Sequence, residues 1–280
     1  MKIVLQIIIS IFLSSSLFAY IDSDMDGVED AQDRCPNTPF SDLVDIRGCT
    51  KSSLVSAHHY DVIVGASFAQ SDYQTLNTTD TLSTTLQVDY YYKNFSMQAS
   101  TSYFSTEGNG FNDSGLFDSF VGASYQFRPL QDLSLRLGLG VLLPTYDNSL
   151  NNNNTDYTAS LNLSYNIDKL NIFGGYAYTI INDDNVNIYD ANTTLTSTVL
   201  YQNTHAYSLG LGYYMTQRLY TSLSYNASDS IYESVEDIQS MSTYMYYSID
   251  SHWFLTFSYA YGLSDSASKN FTSLRLGYFF

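Results

Sequence analysis

Basic residues are scarce in this chain. Eleven Lys and Arg stand against 28 Asp and Glu in 280 residues, a formal charge of −17. Nothing in such a sequence neutralises a run of phosphates, so nucleic acid is excluded as a partner. Long apolar runs are missing too: past residue 19 none approaches the roughly 20 residues a membrane-spanning helix needs. Proline occurs four times, cysteine twice, and charged residues make up only 14%. The first cysteine, Cys35, lies too far in to serve as a lipoprotein anchor. There are four histidines, and no strand sets a His and a Ser two positions apart. Nucleophilic hydrolysis needs His and Ser on one face with a third group orienting the His. The chain is therefore not expected to be an enzyme.

What is abundant is Tyr (27) and Phe (16), together with Ser, Thr, Asn and Gly. That mixture pairs strand formers with turn formers. Tyrosine in such number suits rings whose bodies face lipid while their hydroxyls reach water. Residues 1–19 carry one Lys, an apolar stretch from Ile3 to Leu13 and a Ser-rich end before Ala19. This is the layout of a secretory signal peptide, cleaved after Ala19, and its apolar core is too short to span a bilayer.

From residue 58 to 280 the sequence breaks into segments of about ten alternating residues, the length of a tilted membrane strand. They fall at 60–69, 82–92, 95–105, 116–127, 133–143, 157–167, 170–181, 205–215, 219–227, 238–249, 253–263 and 271–280. In the fifth, the odd positions read Leu, Leu, Leu, Leu, Val, Leu. The tenth is ambiguous, because Met241, Tyr244, Met245, Tyr246 and Tyr247 blur its two faces. Short turns follow the even strands, including Lys93-Asn94, Arg128-Pro129, Asp168-Lys169 and Gln217-Arg218; longer acidic loops follow the odd ones. The fold expected is all-β: a transmembrane, antiparallel, up-and-down β-barrel of about twelve strands with both ends of the barrel periplasmic.

The last segment, FTSLRLGYFF, places Leu274, Leu276, Tyr278 and Phe280 on one face. It resembles the C-terminal strand of bacterial outer-membrane barrels. In those proteins a terminal Phe preceded by alternating apolar residues is the assembly signal. The resemblance implies the outer membrane of a diderm bacterium, its lipid and its barrel-assembly machinery as partners.

Residues 20–50 form a separate acidic module. Counted from Asp22, acids fall at positions 1, 3, 5, 9 and 12 of a twelve-residue loop, namely Asp22, Asp24, Asp26, Asp30 and Asp33. Gly27 occupies position 6 and Val28, through its carbonyl, position 7, which is the ligand spacing of a calcium loop. With Asp33 in place of Glu and no flanking apolar helices, an EF-hand pair is not expected. The segment resembles a thrombospondin type 3 repeat, similar to the spacer of OmpA-family porins, including Cys35-Pro-Asn-Thr-Pro39 and Val44-Asp45-x-x-Gly48-Cys49. That resemblance implies Ca2+ held by the five aspartates and a disulfide between Cys35 and Cys49. In the OmpA family the spacer follows the barrel and precedes a peptidoglycan-binding domain. Here it precedes the barrel, no length remains for such a domain, and cell-wall anchoring is not expected. Residues 51–57 read as a tether, and the module is expected in the periplasm, at the barrel mouth or within it.

Few ionisable residues fall on strands: Asp61, Asp89, Asp118, Arg136 and Arg275. They serve either as wall ion pairs, Asp61 with Arg275 for instance, or as a charged constriction. The function expected is a porin-like passive channel for small polar solutes or ions, with the calcium module at its periplasmic mouth. The competing reading is a non-conducting structural or adhesive barrel that displays acidic loops. Inward aromatics meeting across the axis would favour the second.

Overall fold

A computed structural model describes residues 58–72, 78–108, 111–146, 153–189 and 195–280, with Asp24, Val28, Asp33, Arg34, Cys35, Thr38, Val44 and Cys49. The signal peptide at 1–19 and the tether at 51–57 lie outside the described residues. The chain divides into two compact units, Met1–Ser56 and Ala57–Phe280.

The described residues of the second unit form strands and the turns between them. In chain order they are β1 (His58–Ser71), β2 (Thr79–Tyr92), β3 (Phe95–Gly108), β4 (Phe111–Leu116), β5 (Ser119–Leu130), β6 (Leu133–Leu143), β7 (Asp156–Ile167) and β8 (Leu170–Ile180). Then come β9 (Val186–Tyr189), β10 (Leu195–Val199), β11 (Thr204–Thr216), β12 (Leu219–Ser228), β13 (Ile238–Ser248), β14 (Trp253–Gly262) and β15 (Asn270–Phe279). Each pairs antiparallel with its neighbour, and β1 joins β15 from Asp61↔Phe279 to Gln70↔Asn270. Phe280 completes the seam, its N–H donating to the Tyr60 carbonyl at 2.9 Å. Strands β4 and β5 both pair with β3 and together make one stave, so the closed wall has twelve. Closure leaves no lipid-exposed edge of unpaired backbone, the condition for strands to cross a bilayer. Hairpin β9–β10 stands outside the wall, in the connection from β8 to β11.

The alternation sets the two faces. Outward, an aliphatic belt runs through Val64, Leu86, Val121, Leu137, Leu139, Leu161, Leu209, Leu223 and Leu274, all exposed. Aromatics bracket it: Tyr60, Tyr92, Tyr125, Tyr165, Tyr213, Tyr247 and Trp253 near the short turns, Tyr103, Phe117, Tyr157, Tyr207, Tyr225 and Tyr261 near the loops. An apolar band flanked by two aromatic girdles is the surface a barrel presents to lipid. Among the described residues only Phe104 and Ala267 are buried apolar side chains, as a single-layer wall without a core requires.

Turn chemistry fixes the ends. Lys93 and Asp168 open two-residue turns at φ 53° and 52°, the left-handed geometry that matches the twist of a hairpin. Arg128-Pro129 departs from the expected turn. It stays within β5 as an irregularity between Phe127 and Leu130, and the chain reverses at Gln131-Asp132. Proline has no N–H to give to a ladder, so a bulge accommodates it. The ambiguous segment is resolved by register: Tyr244 and Tyr246 oppose Ser222 and Tyr220 on the inner face, leaving Met241, Met245 and Tyr247 outside.

Candidate functional site: the barrel lumen

The inner face is small and polar. Hydroxyls meet across neighbouring strands at Ser67–Ser83 (2.7 Å), Thr85–Ser102 (2.8 Å), Ser96–Ser124 (2.7 Å) and Ser224–Ser242 (2.9 Å). Such cross-strand pairs satisfy the wall from within. Several inward aromatics are seated by glycine. A Cβ added at Gly122 or Gly140 would strike the ring of Phe120, one at Gly210 that of Phe173, one at Gly212 that of Tyr220, and one at Gly277 that of Phe254. The rings therefore lie along the wall in the space the missing side chains leave. Ring contacts at Tyr214–Tyr220, Tyr220–Tyr244 and Tyr246–Phe254 join adjacent strands and do not bridge the bore. Two recesses of about 380 and 460 Å³ indent the lumenal wall, and Arg136 and Asn162 line both.

The charged residues concentrate near the short-turn end. Asp61 and Asp89 are direct cross-strand partners on β1 and β2. Asp89 is buried, and Gln87 donates to its Oδ2 at 2.8 Å. The Tyr91 side chain lies beside both carboxylates, and Arg136 and Arg275 both act on Asp89 through space. The expected Asp61–Arg275 ion pair does not form. Arg275 lies opposite Gly65, four positions along β1, and lays its side chain over that glycine to donate to Gln87 Oε1 at 3.3 Å. Arg136 donates to Gln126 Oε1 at 3.4 Å. Two glutamines thus hold the guanidiniums.

Asp118 departs from the expected lumen set. It lies in the break between β4 and β5 at the loop end, where its Oδ1 accepts from the Tyr146 N–H at 3.0 Å and Asn153 Nδ2 at 2.7 Å. It fastens the β6–β7 connection. Asp156, Asp183 and Asp229 do similar work, accepting from the backbone N–H of Asn182, Asn154 and His205. Much of the acidic rim is therefore spent on shaping loops. Lys269 and Asp72 form an ion pair at 3.9 Å.

In the first unit Cys35 and Cys49 are joined, their Cα atoms 5.0 Å apart. Asp33 Oδ1 accepts from the Cys35 N–H at 2.8 Å, and Asp24 Oδ2 from the Thr38 N–H at 2.6 Å. Asp24 Oδ1 is buried without a hydrogen-bond partner. A buried carboxylate oxygen left open at the third loop position fits an oxygen-ligated cation. Asp22, Asp26 and Asp30 lie outside the described residues.

Comparison with known proteins places this barrel. The family described as "Putative MetA-pathway of phenol degradation" matches residues 51–280, all twelve staves. The chain belongs to this family. In structure it is similar to an outer membrane channel from Pseudomonas putida F1, with a TM-score of 0.67 at 9% identity, covering 85% of this chain and 100% of that one. It also resembles the translocator domain of the autotransporter NalP from Neisseria meningitidis, with a TM-score of 0.51 at 11% identity, covering 82% and 90%. At these identities the likeness establishes the fold. No curated protein matches the chain. This member of the phenol-degradation family has the fold of an outer-membrane β-barrel.

The family member carries no hydrolase site among its described residues. His205 faces outward, its Nδ1 2.8 Å from the Tyr176 hydroxyl. Ser251 Oγ lies 2.9 Å from His252 Nδ1, yet the pair sits in the exposed β13–β14 turn, where Asp250 accepts from the His252 backbone and not its ring. Sequence reasoning missed Gln87, Gln126 and Tyr91, because a polar inward residue at period two looks like any other wall residue. Only register shows which guanidinium each glutamine receives.

Proposed function

We propose that the chain is a passive channel for small polar solutes or ions across the outer membrane. The observation that carries this reading is the seating of the inward aromatics. Phe120, Phe173, Tyr220 and Phe254 fold onto glycines of the wall, so these four rings are laid flat and withdrawn from the bore. A hydroxyl-lined bore with charges gathered near one end is the construction of a selective pore. The family's description makes small phenolic compounds the first solutes to test. The short turns face the periplasm, the acidic loops face outward, and the aromatic girdles meet lipid headgroups. The C-terminal strand, with Leu274, Leu276, Tyr278 and Phe280 on its outer face, engages the barrel-assembly machinery. The disulfide module is a periplasmic calcium site: Asp22, Asp24, Asp26, Asp30 and Asp33 with the Val28 carbonyl hold Ca2+, which supplies the electrostatic closure of an otherwise repulsive loop.

Planar-bilayer conductance of the refolded mature chain tests this, with and without calcium, beside a form lacking residues 20–57. Discrete steps are expected from the full chain, with a change on calcium removal. Silence from both forms, in protein shown to be folded, overturns the channel. The alternative, a non-conducting adhesive barrel, draws on Leu195, Leu200, Ile231 and Val235, exposed on the connections at the loop end. Silence together with binding to surfaces would favour it.

A further inference from the structure

The opposed carboxylates Asp61 and Asp89 each keep one oxygen that the wall leaves unpartnered. Like charges directly opposite in an antiparallel pair repel, and their Cβ atoms lie only about 5 Å apart. A wall built for rigidity would set an arginine between them. Here the two nearby arginines are turned aside: Arg275 donates to Gln87 and Arg136 to Gln126. Gln87 in turn gives its amide to Asp89 Oδ2 and leaves Oδ1 open. Asp89 is 6% exposed, and Oδ1 of both Asp89 and Asp61 is buried without a hydrogen-bond partner. A buried anionic oxygen without a partner is costly, so each one points to something that completes it.

We propose that Asp61 and Asp89 form a binding site for a divalent cation in the lumenal wall near the short-turn end. The donors that surround the pair are all hard oxygens. The Tyr91 hydroxyl lies beside both carboxylates, and Gln98, the cross-strand partner of Asp89 on β3, lines the same recess as Asp89, Tyr91 and Ser96. This donor set suits calcium or magnesium and lacks the sulfur that would favour softer metals. The His59 imidazole, two positions before Asp61 on β1, is stacked on Phe279 at 5.2 Å. The recess, about 380 Å³, supplies room for the waters that complete coordination. The two carboxylates bring two negative charges, which one divalent ion offsets. Arg136 and Arg275 then remain as inner-face charges that the pair no longer offsets. Occupancy thus shifts the lumen from a mixed to a positive lining and favours anions. This site is separate from the acidic loop at residues 22–33 and does not depend on whether the bore conducts.

The test is equilibrium dialysis of the refolded full-length mature chain against calcium, beside D61N/D89N, with folding checked by heat-modifiable migration. One equivalent of calcium is expected to disappear in D61N/D89N. A second pair of proteins carrying D22N/D24N/D26N/D30N/D33N removes the contribution of the head, and the same loss of one equivalent is expected there. Equal binding with and without D61N/D89N overturns the proposal and leaves a carboxyl pair that shares a proton. Should D61N/D89N fail to refold, D61N and D89N are dialysed singly in its place, and calcium binding equal to the wild type in both overturns the site.

Discussion

Phe120 offers the sharpest test of how this wall is built. Its ring covers two glycines at once, Gly122 two positions along β5 and Gly140, the partner of Gly122 on β6. Gly140 also meets Thr158 of β7 on its other side. A methyl group at residue 140 has no free volume, and overpacking of this kind costs about 1–3 kcal/mol. Against that, replacing a strand glycine by alanine is worth about 0.5–1 kcal/mol when the site is open. G140A is therefore expected to destabilise the barrel by a net of about 0.5–2 kcal/mol in urea unfolding from lipid vesicles. In the F120A background the ring clash is gone and the Thr158 methyl, 3.0 Å from the added Cβ, remains, so the same substitution should cost far less. That difference is the diagnostic, and the double-mutant cycle isolates it from the cost of removing the ring itself. In bilayers G140A should also lower conductance, because the displaced ring has only the bore to enter. An equal effect of G140A in both backgrounds would refute the seating argument, and unaltered conductance would refute its link to the bore.

Further outcomes follow from the two faces, the seam and one turn. L139R places a charge at the middle of the lipid belt, where Leu139 is 71% exposed, and should cost about 2–4 kcal/mol in vesicle unfolding. S208R points instead into a lumenal recess of about 460 Å³ and should cost far less; equal costs would reverse the assignment of faces. Removing Phe280 deletes the N–H that bonds to the Tyr60 carbonyl and the ring packed on Tyr278 at 4.7 Å. The folded fraction in cell envelopes, read by heat-modifiable migration, should fall several-fold, whereas unaltered assembly would separate the terminal aromatic from the assembly signal. Asp250 accepts from the N–H groups of His252 and Trp253, both at 2.8 Å, and these bonds hold its carboxyl below the usual carboxylate range. The folded state favours the ionised form, so its contribution is complete above the ordinary aspartate value of about 3.9 and fades as pH falls through the lower folded value. D250N should therefore melt below the wild type at neutral pH and converge with it in acid, and a gap that persists in strong acid would refute the linkage.

Much of the fold is legible because a barrel wall is one residue thick. Every strand residue faces either lipid or water, so period-two alternation alone places Leu135, Leu137 and Leu139 outside and Ser134, Arg136 and Gly138 inside. The segment of Met241 to Tyr247 defeats this reasoning, since tyrosine suits both faces; pairing with Ser222 and Tyr220 decides it. Arg128-Pro129 misleads for a different reason: a proline marks either a turn or a bulge, and the choice depends on where β6 begins its pairing.

The lumen is legible in composition and opaque in arrangement. Sequence names Asp61, Asp89, Arg136 and Arg275, but interior partners depend on register between strands that are far apart in the chain. Arg275 and Gln87 are separated by 188 positions and meet only because β15 closes on β1 and β1 pairs with β2. The sequence by itself determined the twelve alternating strands, the short-turn and long-loop ends and the acidic spacing of Asp22 to Asp33, because each depends on residues within one local run. Only the tertiary structure decided that Phe120 rests on Gly140, that the arginines turn to glutamines, and that two carboxylates are left facing each other, because closure of the wall brings those residues together.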